Sequence, residues 1–127
     1  MDVPPALGHH TWLIPDGYLP PGTADGLDSH EAVCVLNTGS DTVDIEVTIY
    51  LSDDPPLGPF CFSVAGERTH HARLDHLVTD DGGRIPVDVP YAIVVRASEP
   101  VTVQHSRMDM RSSRMGLMTT MAQALPD

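Results

Sequence analysis

The run Thr42-Val43-Asp44-Ile45-Glu46-Val47-Thr48-Ile49-Tyr50-Leu51 alternates without a break. Val43, Ile45, Val47, Ile49 and Leu51 fall on one side, and Asp44, Glu46, Thr48 and Tyr50 on the other. A period of two over this length describes a strand with one core face and one wet face. Working backward, Ala32 to Asn37 reads as a short apolar strand, and Thr38-Gly39-Ser40-Asp41 has turn chemistry, so the two runs are expected to form a hairpin. Trp12 and Ile14 mark a first strand that Pro15 is expected to limit. Working forward, Phe60, Phe62 and Val64 alternate with Cys61 and Ser63, and Thr69 to Leu74 and Tyr91 to Ala97 supply two more strands.

Twelve prolines and ten glycines cluster at Pro20 to Gly26, Asp53 to Pro59 and Asp80 to Pro90, which leaves no uninterrupted amphipathic helix before residue 105. The expected fold is all-β, a single-domain β-sandwich of about seven or eight short antiparallel strands. The tail has two periodicities: Met108, Met115, Met118 and Met121 fit helical spacing, whereas Leu117 to Ala122 suits a strand. Thr119 and Thr120 tip the choice to strand, with a flexible end from about Ala122. The 127 residues make one domain by length. Aromatic residues make up only 5%, so the core is expected to be aliphatic and to gain from burial against a second subunit.

Eighteen acidic residues against seven arginines, with no lysine, give a formal charge of −11, which opposes phosphate backbones and anionic lipid and argues against nucleic acid as a partner. Arg107, Arg111 and Arg114 form a local exception, read as solvated or intersubunit arginines. Met1 to His10 lacks the basic and apolar regions of a signal peptide, and no run is long and apolar enough to span a bilayer, so a cytoplasmic location is expected. Cys34 and Cys61 lack metal or redox spacing and read as buried free thiols.

Function is expected where a strand changes character. In Val101-Thr102-Val103-Gln104-His105-Ser106-Arg107-Met108-Asp109, alternation carries Val101, Val103, His105, Arg107 and Asp109 on one side, so an apolar face turns ionic without a change of period. A buried arginine or aspartate needs a partner or a ligand. Seven histidines raise a metal question, but His30 and Glu31 are adjacent, as are His70 and His71, so each pair points to opposite faces of a strand. No metal or cofactor is expected. His30 and His105 read as hydrogen-bonded strand-end histidines, and His9, His10 and His76 as solvated ones. Ser106 beside His105 faces away from it, and no nucleophile elbow or phosphate loop is present, so a binding role is favoured over catalysis.

Four ordered segments then resemble one family: Trp12, Ile14, Asp16, Gly17, Tyr18, Pro20 and Pro21; Ser29, His30, Glu31, Cys34, Leu36 and Asn37; Ile49, Tyr50, Ser52, Asp53, Pro56, Gly58 and Pro59; and Val103, Gln104, His105, Arg107 and Asp109. Arg68, Thr69, His71 and Arg73 add to them. The pattern, over about residues 10 to 122, is similar to the sensory rhodopsin transducer family. That resemblance implies a small β-sandwich that assembles as a homotetramer, is cytoplasmic and has no catalytic activity. It implies either coupling to a membrane photoreceptor or another receptor, or binding of a small polar, carbohydrate-like or anionic ligand. Pro15, Asp16 in place of a more typical Glu, and a longer Asp80 to Arg84 loop depart from the pattern, and the loop puts a receptor-docking surface in question. Residues and resemblance together give a candidate site of His30, Glu31, Asn37, Gln104, His105, Arg107 and Asp109, with Arg107 and Gln104 clasping the ligand, Glu31 and Asp109 accepting from its hydroxyls, and His30 and His105 orienting them. Receptor docking through Asp53 to Pro59 and the C-terminal tail is the second reading, and a metal-dependent cupin-like enzyme the third.

Overall fold

A computed structural model describes residues 4–127. Ten strands follow one another: β1 (His9–Tyr18), β2 (Thr23–Ala24), β3 (Leu27–Asp28), β4 (His30–Asn37), β5 (Val43–Leu51), β6 (Leu57–Val64), β7 (Arg68–Arg73), β8 (Pro90–Asp109), β9 (Gly116–Met121) and β10 (Gln123–Leu125), with a 3-10 turn at Leu74–His76. β2 and β3 make a small ribbon, and the other eight form the expected antiparallel sandwich. One layer runs β10-β1-β8-β5-β6 and the other β7-β4-β8-β9.

The two layers share β8. Tyr91 to Ala97 pairs with β1 and β5, whereas Thr102 to Asp109 pairs with β4 and β9. Two runs that the sequence presents as separate strands are thus one strand that changes sheets around Pro100, where a missing N–H interrupts no ladder. The Trp12 indole locks this corner, donating from Nε1 to His9 O at 3.1 Å and to Val101 O at 3.0 Å.

Three local expectations are corrected. β4 and β5 do not form a hairpin: β4 pairs with β7 and β8, and β5 with β6 and β8, so the intervening turn crosses between layers. Asn37 directs that crossing, because its side-chain amide donates to Asp41 O, Val64 O and Ala65 O at 2.8, 3.1 and 3.2 Å, tying the end of β4 to the β6–β7 turn. β1 is not stopped by Pro15 but continues to Tyr18, absorbing the proline in a register shift between Ile14 and Gly17. The C-terminal segment is not loose: Ala122 is buried, its N–H donates to Val103 O at 3.2 Å, and β10 adds to β1 through Thr11↔Leu125, Trp12↔Ala124 and Leu13↔Gln123.

Between the layers lie Val33 and Val35 of β4, Val43, Ile45, Val47 and Ile49 of β5, Ile93, Val95, Val101 and Val103 of β8, with Phe60, Leu19, Leu74 and Trp12. The core is mostly aliphatic, and each such side chain contributes about 1.5–3 kcal/mol by leaving water. Both cysteines are free, as expected, but neither is fully buried. Cys61 sits opposite Glu46 on the wet face of β5 and β6, and Cys34 is half-buried on the outer face of β4, because alternation places both out of phase with the core.

Candidate functional site

The β4–β8 register sets Glu31 directly opposite Arg107, with His105 one step along the same inward face beside Val33. The ends of β1 and β8 meet the same corner through Gly17↔Tyr91 and Tyr18↔Pro90. Glycine is required at position 17 by proximity: a Cβ there would lie 2.4 Å from Tyr91 Cε1 and 2.5 Å from Cδ1. With no side chain in the way, the Tyr91 ring passes against Gly17 of β1 and its hydroxyl reaches Glu31.

Glu31 has no exposure to solvent. Its Oε2 accepts from the Tyr18 N–H at 2.9 Å and from Arg107 Nε at 3.1 Å, and its Oε1 accepts from the Tyr91 hydroxyl. His105 Nε2 is 2.8 Å from the same Oε2 but off the line of a hydrogen bond, and its Nδ1 has no partner among the described residues. An isolated buried carboxylate is costly, and here a guanidinium and two neutral donors offset that cost. Burial first, and then the Glu31 charge, push the Tyr91 phenol far above its ordinary range, so it stays a donor.

Arg107 carries the cluster to the surface. Its Nη2 donates to Asp16 O at 3.2 Å and lies 3.5 Å from Asp16 Oδ1. Its guanidinium carbon is 5.8 Å from the centre of the Tyr18 ring, and that of Arg111 is 5.7 Å from the same ring. Arg111 in turn forks onto Asp109, with Nε 3.0 Å from both carboxylate oxygens and Nη2 2.5 Å from Oδ2, and these bonds hold the Asp109 carboxyl below its usual range. The Tyr18 hydroxyl donates to Asp88, which raises the phenol's pKa. The result is a surface end with two guanidiniums, a phenol and three carboxylates around a fully satisfied interior acid.

Of the residues expected from sequence, Glu31, His105, Arg107 and Asp109 come together here. Gln104 does not: it lies on the outer face of β8 and donates from Nε2 to Thr119 Oγ1 at 2.9 Å. His30 is also on that outer face, opposite Met108, with Nδ1 3.0 Å from Asp28 O. Asn37 stands at the far end of β4 in the turn described above. Adjacent strand residues point to opposite faces, so Arg107 and Gln104 do not close on one ligand. His105 is wholly interior rather than a strand-end group, whereas His10 keeps the solvent-facing side chain expected of it and lies 2.5 Å from Asp127 Oδ2. Asp16, Tyr18, Asp88, Tyr91 and Arg111 complete the site. Gly17 beside Tyr18 is the legible hint, whereas Asp88 lies in a turn-rich segment with no periodicity to place it, and the Tyr91 strand reading does not reveal which side chain its hydroxyl meets.

No curated protein matches this chain in sequence. The family described as Anabaena sensory rhodopsin transducer matches residues 7–124. Among solved structures, that of Thermotoga maritima 1070 is 35% identical with a TM-score of 0.84, covering 93% of this chain and 96% of the other. The Anabaena sensory rhodopsin transducer is 40% identical with a TM-score of 0.72, covering 84% of this chain and 93% of the other. With the family pattern spanning nearly the whole chain and the same sandwich in both structures, this protein belongs to the Anabaena sensory rhodopsin transducer family.

Proposed function

We propose that this transducer-like module is a non-enzymatic, cytoplasmic binding protein that recognises a small polyhydroxylated ligand at the Arg107–Tyr18–Arg111 surface and works as a homotetramer. The carrying observation is the double engagement of Arg107. One edge of its guanidinium holds a carboxylate with no solvent exposure, and the other lies beside the solvent-facing Asp16. A contact that shifts Arg107 at the surface therefore acts on β1, β4 and β8 together through Glu31. Asp16, Asp88 and Asp109 supply acceptors, and Arg107, Arg111 and the Tyr18 hydroxyl supply donors, the complement that neighbouring sugar hydroxyls use. Both guanidiniums already face carboxylates, so an anionic ligand must displace one of them. That favours a neutral polyol over a sugar acid.

Calorimetric titration of neutral sugars and sugar acids into the parent and into Arg111→Ala tests this. Arg111 is exposed and does not touch Glu31, so the variant keeps its fold and loses at least tenfold in affinity for the bound sugar. Equal affinity in both proteins overturns the assignment. The name of the structural relative at 40% identity supports a second reading, docking to a membrane rhodopsin. No helix among the described residues is long and apolar enough to cross a membrane. With a chain charge of −11, docking to a basic receptor face weakens steeply with salt.

A further inference from the structure

Both ring nitrogens of His105 lack a hydrogen-bond partner among the described residues, and the residue has no exposure to solvent. It continues the inward row of Val101 and Val103 on β8, where an aliphatic side chain of similar size orphans no polar atom. Histidine brings to that row what an aliphatic residue lacks, a ring able to gain a proton in the physiological range. Its Nε2 is 2.8 Å from Glu31 Oε2, the oxygen that also accepts from Arg107 Nε at 3.1 Å. One carboxylate oxygen thus faces two cations, Arg107 permanently and His105 only when protonated.

We propose that the cluster is a proton-linked anion site: a proton taken up by His105 transfers Glu31 from Arg107 to the imidazolium, and the released Arg107 binds an oxyanion group, as on a sugar acid, beside Arg111. The inference rests on the recognition surface proposed above and gives it a second ligand class.

Charge balance drives the exchange. A buried carboxylate and one guanidinium form a neutral pair, and a second full positive charge in the same pocket is costly. Proton uptake adds that charge, and departure of Arg107 removes it. Of the three groups only Arg107 has a way out, because its side chain is partly exposed and its Nη2 already donates to Asp16 O. The imidazolium donates from both nitrogens, and rotation about the soft χ2 of histidine brings Nε2–H onto the line to Oε2.

The other groups around the ring are already engaged. The Tyr91 hydroxyl of β8 and the Tyr18 N–H of β1 donate to Glu31, the Tyr18 phenol donates to Asp88, and Asp75 of the 3-10 turn is held by Arg73. β4 brings only Glu31 to this corner, and β9 sets the non-titrating Thr120 opposite the ring. At the surface, the guanidinium carbons of Arg107 and Arg111 lie 5.8 and 5.7 Å from the centre of the one Tyr18 ring, close enough for two forks to serve one oxyanion.

Calorimetric titration of the unaltered protein with glucuronate, inorganic sulfate and neutral sugars at about pH 5.5 and about pH 7.5, with nitrogen NMR of the His105 ring and of Arg107 Nε, tests this. Anion binding is expected to be about tenfold tighter or more at the lower pH, since one linked proton changes affinity by up to about tenfold per pH unit. The Arg107 Nε resonance is expected to move as the His105 ring protonates, and His105→Leu is expected to lose the pH dependence. A gain for glucuronate alone supports an oxyanion carried on a sugar, and a gain for sulfate as well supports capture of any oxyanion. Anion binding that is absent or equally tight at both pH values overturns the proton link, as does a ring that protonates while the Arg107 resonance stays in place. The NMR readings come from the unaltered protein, so they decide the matter even if His105→Leu fails to fold. Neutral-sugar binding at the higher pH reports separately on the recognition surface: if it persists while the anion results fail, only the proton link falls, and if it survives intact in Arg111→Ala, the surface and the link fall together.

Discussion

Glu31 and Arg107 face each other across the β4–β8 ladder with Arg107 Nε 3.1 Å from Glu31 Oε2, and of the two only the arginine reaches water. The acid is the interior anchor and the base is its outlet. Substitutions at the two positions therefore differ in kind, one acting on stability and the other on recognition as well.

Glu31→Ala removes the acceptor for the Tyr18 N–H, the Tyr91 hydroxyl and Arg107 together. Breaking a buried pair from one side costs about 3–5 kcal/mol. Urea unfolding followed by Trp12 fluorescence is expected to show a loss of that size. Glu31→Gln, which keeps the volume and one acceptor oxygen, is expected to lose less. Equal midpoints for Glu31→Ala and the parent would show that the network holds nothing together.

Tyr91 gives the protein an alkaline limit. Its phenol is raised above the ordinary value of 10.0 in the folded state by burial and by Glu31, so above pH 10 the unfolded chain releases a proton that the folded chain keeps. The stabilisation is complete below that pH and falls as pH rises, by up to about 1.4 kcal/mol per unit for one group. Tyr91→Phe is expected to flatten that slope while losing about 1–3 kcal/mol at neutral pH, because one buried acceptor is left short of a donor. Denaturation series at pH 8 to 11 read both effects.

At Gly17 the prediction is steric. An alanine Cβ 2.4 Å from the Tyr91 ring forces the ring or β1 to move, and overpacking of this kind costs about 1–3 kcal/mol. Gly17→Ala is expected to lower stability and to shift the Tyr91 ring resonances in NMR spectra. The double variant Gly17→Ala, Tyr91→Phe is expected to lose less than the sum of the two, because both act through the same hydroxyl contact.

The strands were legible because alternation is a local property. Val43 to Leu51 and the ionic turn of Val101 to Asp109 could be read residue by residue, and the second led straight to Glu31's partners His105 and Arg107. Lateral pairing was not legible. Asn37 looks like a candidate ligand in sequence, yet its amide serves the β4–β5 crossing, and only the three-dimensional position of Ala65 reveals that. Gln104 fails for a simpler reason: it is one residue out of phase with Arg107, and grouping polar residues by nearness in sequence ignores the two faces of a strand. Tyr91 escaped because its role depends on the missing side chain of Gly17, on a different strand.

A thermal-shift screen of the parent protein against neutral sugars, sugar acids, nucleotides and divalent metals, read by Trp12 fluorescence, bears most directly on the Arg107–Tyr18–Arg111 surface as a recognition site. A ligand at about 100 times its dissociation constant adds roughly 2.7 kcal/mol of stability. The account predicts such a rise for a neutral polyhydroxylated compound, reduced in Arg111→Ala. A screen in which no sugar raises the unfolding temperature, or in which the rise survives intact in Arg111→Ala, contradicts it.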